Sequence, residues 1–543
     1  VIVAILVALV TPRLGSGFFR SIERWFSGIA RRKGLAVILV SVTALAAGGL
    51  PRLFEGIPRP QLHDEFSYLL SADTFAHGRL TNPTHPMWQH FESFHINQQP
   101  TYASMYPVGQ GLVMAVGQAL GGRPWYGVWL SAAGMCAAIV WMLQAWLPPG
   151  WALFGGLLAV ARLGTFSYWV ESYWGGAVAA IGGALILGAW PRLTRRPTLG
   201  CSLLLGAGVA IVANTRPFEG LSLVIPVAGF LLFWVFRSSM RLVALAPAVV
   251  LLCLVGQAML YYNSRVTGDP MKLPVSANRS QYAVARYFLW DQPDTIPEYR
   301  HQAIRDFYVK WELPGFLLSR GWGGYETNTY EKIFKTWMFF VGPVLTIALL
   351  PLWRVIKERR IRPLIITGAV SGAIISLSIY NSPHYLGPQA ALIYAVLLQG
   401  LRHVRMWRIR GRRIGIAVVR AVPVICVLMI GFRAAAGSLN WSPRSQMATW
   451  CTRLSEDHHR EDLITQLKRS GGKHLVIVRY AVDHTPNWEW VYNGADIDAA
   501  DVVWAREMDA ARNAELVRYF QGRSVWLLEP DRDEVALQRY GNR

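Results

Sequence analysis

Apolar positions gather along this chain in long runs broken by short polar or basic stretches. A helix that crosses a bilayer needs about 20 such residues. Runs near that length stand at 34–50, 125–147, 149–168, 174–191, 198–213, 217–236, 242–262, 335–353, 363–380, 386–401 and 414–432. They predict eleven spans, and the opening VIVAILVALV, without a methionine, reads as the tail of a further span or signal segment behind a fragmentary start, giving about 11–12. The stretch YPVGQGLVMAVGQALGG, 106–122, is rich in glycine and carries a proline and two glutamines, so it reads as a juxtamembrane or re-entrant helix.

After residue 443 the pattern changes. EDLITQLKRSGG predicts a helix ending at glycine, KHLVIVRY and DVVWARE predict strands, DAARNAELVRYF an amphipathic helix and RSVWLLEPD a third strand. Such alternation predicts a small α/β domain with a parallel sheet. The expected fold class is therefore an all-α polytopic membrane protein with a C-terminal α/β domain. It divides into a truncated span and basic segment (1–33), a membrane core with an outer loop at 51–122 (34–262), a long outer loop (263–332), further membrane helices (333–442) and the terminal domain (443–543). Trp488, Trp490, Tyr492 and Trp504 in that domain read more readily as core and surface aromatics than as a sugar platform.

Composition supports a membrane chain: 53% of the 543 residues are hydrophobic and 16% charged. The net charge of +21 raises the question of a nucleic-acid partner. Its distribution answers it. Segments 12–33, 192–197, 237–241, 354–362 and 402–413 hold 22 basic residues against only Glu23 and Glu358, which is the positive-inside pattern of cytoplasmic loops. The remainder is nearly neutral, so no nucleic acid is needed. By parity, 51–105, 263–332 and everything after 433 then face outward from a multi-pass inner membrane; the count would invert if 106–122 crossed, or shift if another run were not a span. Four cysteines fall in predicted spans and Cys451 lies outside them, so no disulfide framework holds the outer regions.

Ionisable groups bunch at the outward ends of the spans, where Asp64, Glu65, Arg162, Glu171, Arg216 and Glu219 all fall. Intramembrane and membrane-edge charges are costly and commonly functional. A carboxylate base plus cations at a bilayer edge suits transfer of a sugar from a polyprenyl phosphate, whose phosphate is already a good leaving group. Arg216, Arg279 and Arg286 are the candidate phosphate receivers, and the spacing of Arg279, Tyr282 and Arg286 would align them on a helix. Each group has a plainer reading as well. Asp64 can cap a helix running to Gly78, Glu65 lies about 100° around that helix and supports it, Arg162 can snorkel or pair with Glu171, Arg216 can cap the preceding span, and His384 and Tyr385 can be interfacial residues or donor contacts. His85, His90 and His95 recur every five residues, a spacing that suits neither a helix face nor a zinc site.

HDEFSYL at 63–69, YASMYPVGQGLVMAVGQALGG at 102–122, RLGTFSYWVESYWGG at 162–176 and HYLGPQAALIYAVLL at 384–398 together resemble the GT-C class of polyprenyl-phosphate-dependent glycosyltransferases, of the protein O-mannosyltransferase and aminoarabinose transferase type. The resemblance covers roughly 34–432. It implies an inverting transferase with its active site and C-terminal domain outside the cytoplasm, a polyprenyl-phosphate sugar donor, a protein, lipid or glycan acceptor, contact with membrane lipid, and no required cofactor, with a divalent cation left open. It implies Asp64 as catalytic base with Tyr68 as its aromatic neighbour, Glu171 as a second acid, and substrate contacts from Tyr106 and Glu219. It also implies an outer loop, within 263–332, that orders on donor binding. A lysine sometimes found before the Y-P stretch is replaced by Gln98, Gln99 and Pro100. A non-enzymatic lipid-linked glycan exporter or scaffold, and a lipid-linked polymer ligase, are the alternatives.

Overall fold

A computed structural model describes residues 10–11, 14–238, 240–380, 382–408, 411–438, 449–451, 459–485, 487–532 and 535–541. The opening apolar run up to residue 9 and the 442/443 boundary lie outside the described residues. The chain separates into two units, Val1–Ile57, Val128–Val255 and Glu326–Ser455 in one, and Pro58–Gly127, Gly256–Tyr325 and Glu456–Arg543 in the other.

The first unit is helical. Among the described residues, seven helices of the chain are long and apolar enough to cross a membrane: Lys33–Glu55, Trp125–Trp146, Ala177–Arg195, Pro217–Val235, Arg241–Thr267, Gly321–Leu349 and Ile414–Ala436. Four of the eleven predicted runs form shorter helices. Pro149–Leu163, Leu199–Ala213 and Arg362–Ser376 are shorter apolar helices, and Ala390–Arg405 carries Arg402, His403 and Arg405 in its last turn. The run 149–168 stops early because hydroxyls take over its last carbonyls: Thr165 Oγ1 donates to the Val160 carbonyl at 2.8 Å and Ser167 Oγ to that of Leu163 at 2.6 Å. Ala177–Arg195 and Leu199–Ala213 meet through glycines; a Cβ on Gly208 would lie 2.8 Å from the Gly182 carbonyl oxygen. Small residues of this kind let helix backbones approach where lipid supplies no hydrophobic drive.

In the second unit, helix His63–Ala76 packs on Val108–Gly121, the segment expected to be juxtamembrane. At 14 residues, roughly 21 Å, that helix is shorter than a span. Gly111 gives the contact its room, since a Cβ there would fall 1.9 Å from Ser71 Oγ. Three short antiparallel strands, ordered Asn82–Pro83, Thr101–Ser104, Ile96–Asn97, brace the helix pair. The C-terminal sheet runs Val502–Arg506, His474–Val478, Ser524–Leu528, Leu537–Arg539, the first three parallel as the alternating pattern predicts and the last antiparallel. Arg460–Ser470 and Ala510–Tyr519 are its helices. Trp490 and Trp504 are buried in its core with Val476, Val478 and Leu528, so these two serve packing.

The long loop departs from expectation. Its helix covers Pro274–Tyr282 and ends there, with Ala283 extended, so Arg286 does not share a helical face with Arg279. The competing partners explain the stop: Arg279 is drawn into a two-pronged bond with Glu312, at 2.9 and 3.2 Å, while Tyr282 donates to Glu92 at 2.7 Å.

Candidate active site

Asp64 and Glu65 open helix His63–Ala76, and the helix turn sends them to different tasks. Glu65 is the cap. Its Oε2 accepts the backbone N–H groups of Gln61 at 2.7 Å and Leu62 at 3.0 Å, two donors near the helix start that would otherwise lack partners. Asp64 is thereby released from the capping role that its sequence position allows.

The Asp64 carboxylate meets His63, its neighbour on the helix, and His95 and Tyr106, which flank the strand pair. Tyr106 donates its hydroxyl hydrogen to Asp64 Oδ1, His95 Nδ1 lies 3.2 Å from the same oxygen, and His63 Nδ1 lies 3.6 Å from Oδ2. Tyr68 stacks on Tyr106 with ring centroids 4.4 Å apart, fixing the phenol. The register Ile96↔Ser104 brings His95 to the helix, where Ser67 Oγ donates to the His95 carbonyl at 2.6 Å and contacts Ser104 Oγ at 2.8 Å. His95 adopts φ 60°, a conformation uncommon outside glycine, and these contacts over-determine it.

Electrostatically, burial would raise the Asp64 carboxyl, but His63, His95 and the Tyr106 hydrogen bond outweigh it and hold the acid well below the usual carboxylate range. Its place in the first turn of the helix acts in the same direction. His63, packed between Phe94 and Phe307, is pushed by burial down to about 4, against the pull of Asp64, and is neutral at physiological pH. The side chain of Asp64 remains 20% exposed. The site is thus an ionised, partly open carboxylate held by two imidazoles and a phenol.

Glu171 occupies another environment, in the helical unit. It ends the short helix Tyr168–Glu171 and accepts from Arg52 Nη2 at 3.0 Å; Arg433 Nη2 lies 3.5 Å away, and Arg433 also reaches Glu55 at 3.5 Å. Burial raises the Glu171 carboxyl above its usual value, with the two arginines opposing. Arg162 does not join this group: its Nη2 donates to the Phe339 carbonyl at 3.2 Å and its guanidinium lies over the Trp450 ring at 4.5 Å.

Two proteins of known structure share this architecture. ArnT from Cupriavidus metallidurans superposes with a TM-score of 0.50 at 14% identity, in the apo state over 91% of this chain and 92% of that one, and bound to undecaprenyl phosphate over 91% and 93%. The chain has the GT-C fold. An oligosaccharyltransferase of Archaeoglobus fulgidus, tethered with an acceptor peptide, superposes with a TM-score of 0.50 at 10% identity over 88% of this chain, which spans 64% of that longer one. No family model and no curated relative matches the chain.

Within this GT-C fold the remaining candidate residues fall into two sets. Arg216 is the N-cap of Pro217–Val235, with Glu219 in that helix's first turn, and its guanidinium lies 4.7 Å over the Tyr385 ring. His384, whose ring neighbours that of Tyr385 at 4.4 Å, has Nδ1 2.9 Å from the Tyr168 hydroxyl. The structure therefore gathers Arg216, Glu219, His384 and Tyr385. The loop arginines are engaged elsewhere, Arg279 with Glu312 and the Ala285 carbonyl at 2.5 Å, Arg286 with Asp294. Sequence reading passes over His63, Arg52, Glu55 and Arg433, and finds in the spacing of His85, His90 and His95 neither a helix face nor a zinc site. His85 and His90 bond to Asp498 and the Arg506 carbonyl. The one available signal was adjacency, since His63 immediately precedes Asp64.

Proposed function

We propose that the protein is an inverting glycosyltransferase that moves a sugar from a polyprenyl phosphate to an acceptor at the extracytoplasmic side of the membrane. The observation that carries this reading is the ionised, partly open Asp64, held by Tyr106 at the head of the helix that follows the first long apolar helix, in a GT-C fold. ArnT, which shares that fold, has been solved bound to undecaprenyl phosphate.

In the reaction, the acceptor's oxygen or nitrogen forms a bond to the sugar's anomeric carbon from the face opposite the phosphate. The carbon–oxygen bond to phosphate breaks, the electron pair leaves with the polyprenyl phosphate, and the acceptor's proton passes to Asp64. A carboxylate of low pKa is a weak base. It suffices because the attacking atom becomes strongly acidic as its bond to carbon forms, so the proton is released late and downhill. Tyr106 fixes the carboxylate, and Arg216, at the positive end of a 19-residue helix, is the cation we assign to the departing phosphate.

The test is incubation of the full chain in lipid nanodiscs with synthetic polyprenyl-phosphate sugars and candidate peptide, lipid and glycan acceptors. Release of polyprenyl phosphate together with a glycosylated acceptor of inverted anomeric configuration is expected. Transfer that proceeds equally well in Asp64→Asn would overturn the reading.

A further inference from the structure

Three of the basic stretches counted in the sequence meet at one helix end. The helix Trp125–Trp146 closes there, and the Ala145 carbonyl in its last turn accepts from Arg195 Nη1 at 3.2 Å and from Arg360 Nη2 at 3.1 Å. Arg195 belongs to the segment 192–197 and Arg360 to 354–362, so two guanidiniums from separate segments share one oxygen. One turn earlier, Arg192 donates to the Trp141 carbonyl at 2.7 Å, with its guanidinium 4.0 Å over the Trp141 ring. Gln144 donates to the Lys33 carbonyl at 3.0 Å, which brings the end of the basic segment 12–33 to the same place. Arg402, at the start of 402–413, donates to Gln399 Oε1 at 2.6 Å.

Capping accounts for only part of this arrangement. The carbonyl end of a helix carries about half a unit of negative charge, which a single arginine satisfies. Here Arg192, Arg195 and Arg360 bring full positive charges to that end, and like charges at short range repel. The Arg360 guanidinium is held below its ordinary value first by burial and then by Arg195 and Arg402, so the three side chains lie within one another's field. The acid nearest to them in sequence, Glu358, is already engaged: its Oε1 lies 2.7 Å from His403 Nε2 and accepts from Gln399. Among the described residues no carboxylate forms an ion pair with Arg195, Arg360 or Arg402. A set of cations that opposes itself in this way adds nothing to the fold, and such local conflicts gather where a ligand resolves them.

We propose that Arg195, Arg360 and Arg402 form a binding site for a phosphate-bearing anion at the end of Trp125–Trp146. Guanidiniums present forked N–H donors that match the oxygens of a phosphate. Arg195 and Arg360 are exposed and Arg402 is half-buried, so the cluster is accessible. Exposed apolar side chains stand on or beside the same segments, Leu199, Trp353 and Met406. A phospholipid of net negative charge meets both features, with its phosphate on the arginines and its chains along the apolar helices, as at other basic pockets between membrane helices. Inorganic phosphate or a soluble phosphate ester meets the first feature alone. The site shares no residue with the groups around Asp64 and Arg216 and needs no part of the glycosyl-transfer reading.

The experiment uses the full chain, delipidated in a neutral detergent and titrated with phosphatidylglycerol, with phosphatidylcholine as the zwitterionic control, and bound lipid is counted by native mass spectrometry. A preference of roughly tenfold or more for phosphatidylglycerol is expected, and Arg195→Gln with Arg360→Gln should weaken its binding about thirtyfold. Arg237→Gln with Arg241→Gln, an equal change of charge in another basic segment, should weaken it by less than about threefold. Inorganic phosphate is the soluble probe, read by the thermal midpoint. If it stabilises wild type but not the Arg195/Arg360 variant, while phosphatidylglycerol binds no better than phosphatidylcholine, the ligand is a soluble phosphate and the site stands. Equal losses in the two double variants, or no response to either phosphate source, would overturn it. Because the first variant can fail to fold, wild type is also cross-linked with a photoactivatable phosphatidylglycerol, and adducts in 192–197, 354–362 or 402–413 are expected. Adducts only elsewhere, with no shift from inorganic phosphate, overturn the proposal without any variant.

Discussion

Asp64 and Glu171 are both acids at the ends of short polar passages beside apolar helices, and the structure treats them in opposite ways. Asp64 is held by two imidazoles and a phenol, and a fifth of its side chain is open. Glu171 is met by Arg52 and Arg433, and only a tenth of its side chain is open. Burial pushes the Glu171 carboxyl up, whereas at Asp64 burial is outweighed. A partly open carboxylate that stays ionised is equipped to take a proton. One neutralised by two guanidiniums is equipped to hold helices together.

Asp64→Asn is the most direct way to break this contrast. The amide keeps the shape and the contact with Tyr106 but accepts no proton at neutral pH, and loss of such a group commonly costs about 100-fold to 10,000-fold in rate. Transfer is expected to become undetectable while expression and elution in detergent stay normal; near-normal turnover in the purified variant would remove Asp64 from the chemistry. Arg216→Ala comes next. A cation fixed at a helix N-terminus is preorganised for charge developing on the leaving phosphate, so its loss should cost about 3 kcal/mol, roughly a hundredfold, in turnover at saturating donor rather than in donor affinity. Single-turnover rates at several donor concentrations separate the two, and normal turnover at saturation makes the arginine structural.

How much of this was readable in the chain differs between the two acids. The helical architecture, the parallel C-terminal sheet and the position of Asp64 follow from local periodicity and from placement after an apolar run. The partners do not. His95 reaches Asp64 only through the strand register Ile96↔Ser104, and Arg433 reaches Glu171 across a sequence separation of 262 residues, so neither leaves a periodic trace. Capping was legible as a possibility but assigned to the wrong neighbour: Asp and Glu are both eligible near a helix start, and only the backbone direction shows that Glu65 reaches back to Gln61 and Leu62. The loop arginines were misjudged by spacing, because a helix that aligns Arg279 and Arg286 must continue past Tyr282, and the pairs with Glu312 and Glu92 end it there.

Glu171→Gln sharpens the comparison from the other side. It keeps one acceptor for Arg52 but leaves two buried guanidiniums with less compensation, so the expected loss is about 1–3 kcal/mol of stability, read as a lower thermal midpoint, with transfer reduced at most about tenfold. A loss equal to that of Asp64→Asn would exchange the roles assigned to the two acids. Smaller still is the contrast between loop arginines. Arg279→Ala strands the buried Glu312 and should weaken donor binding by loosening the loop, while Arg286→Ala, an exposed pair with Asp294, should change binding by less than about 1 kcal/mol. Equal effects of the two substitutions on donor affinity would show that the Glu312 pair does not order this loop.

The smallest effect tests the direction of the Glu171 shift itself. Its carboxyl is raised by burial above the value it has in the unfolded chain, so the folded state binds this proton more readily than the unfolded state does. Acidification toward the raised value then favours the folded form as far as this group is concerned, and the benefit of protonation is lost as the pH rises through it. Other groups, among them the buried His63, destabilise the fold on acidification, but they are shared by wild type and Glu171→Gln and cancel in the difference between them. As the pH is lowered toward the raised value, wild type gains the benefit of this protonation and the glutamine variant does not. The gap between the two thermal midpoints, with wild type the higher, is therefore expected to widen on acidification. A gap that narrows on acidification would mean that Arg52 and Arg433 hold Glu171 more acidic than usual, and the distinction between the two carboxylates would have to rest on exposure alone.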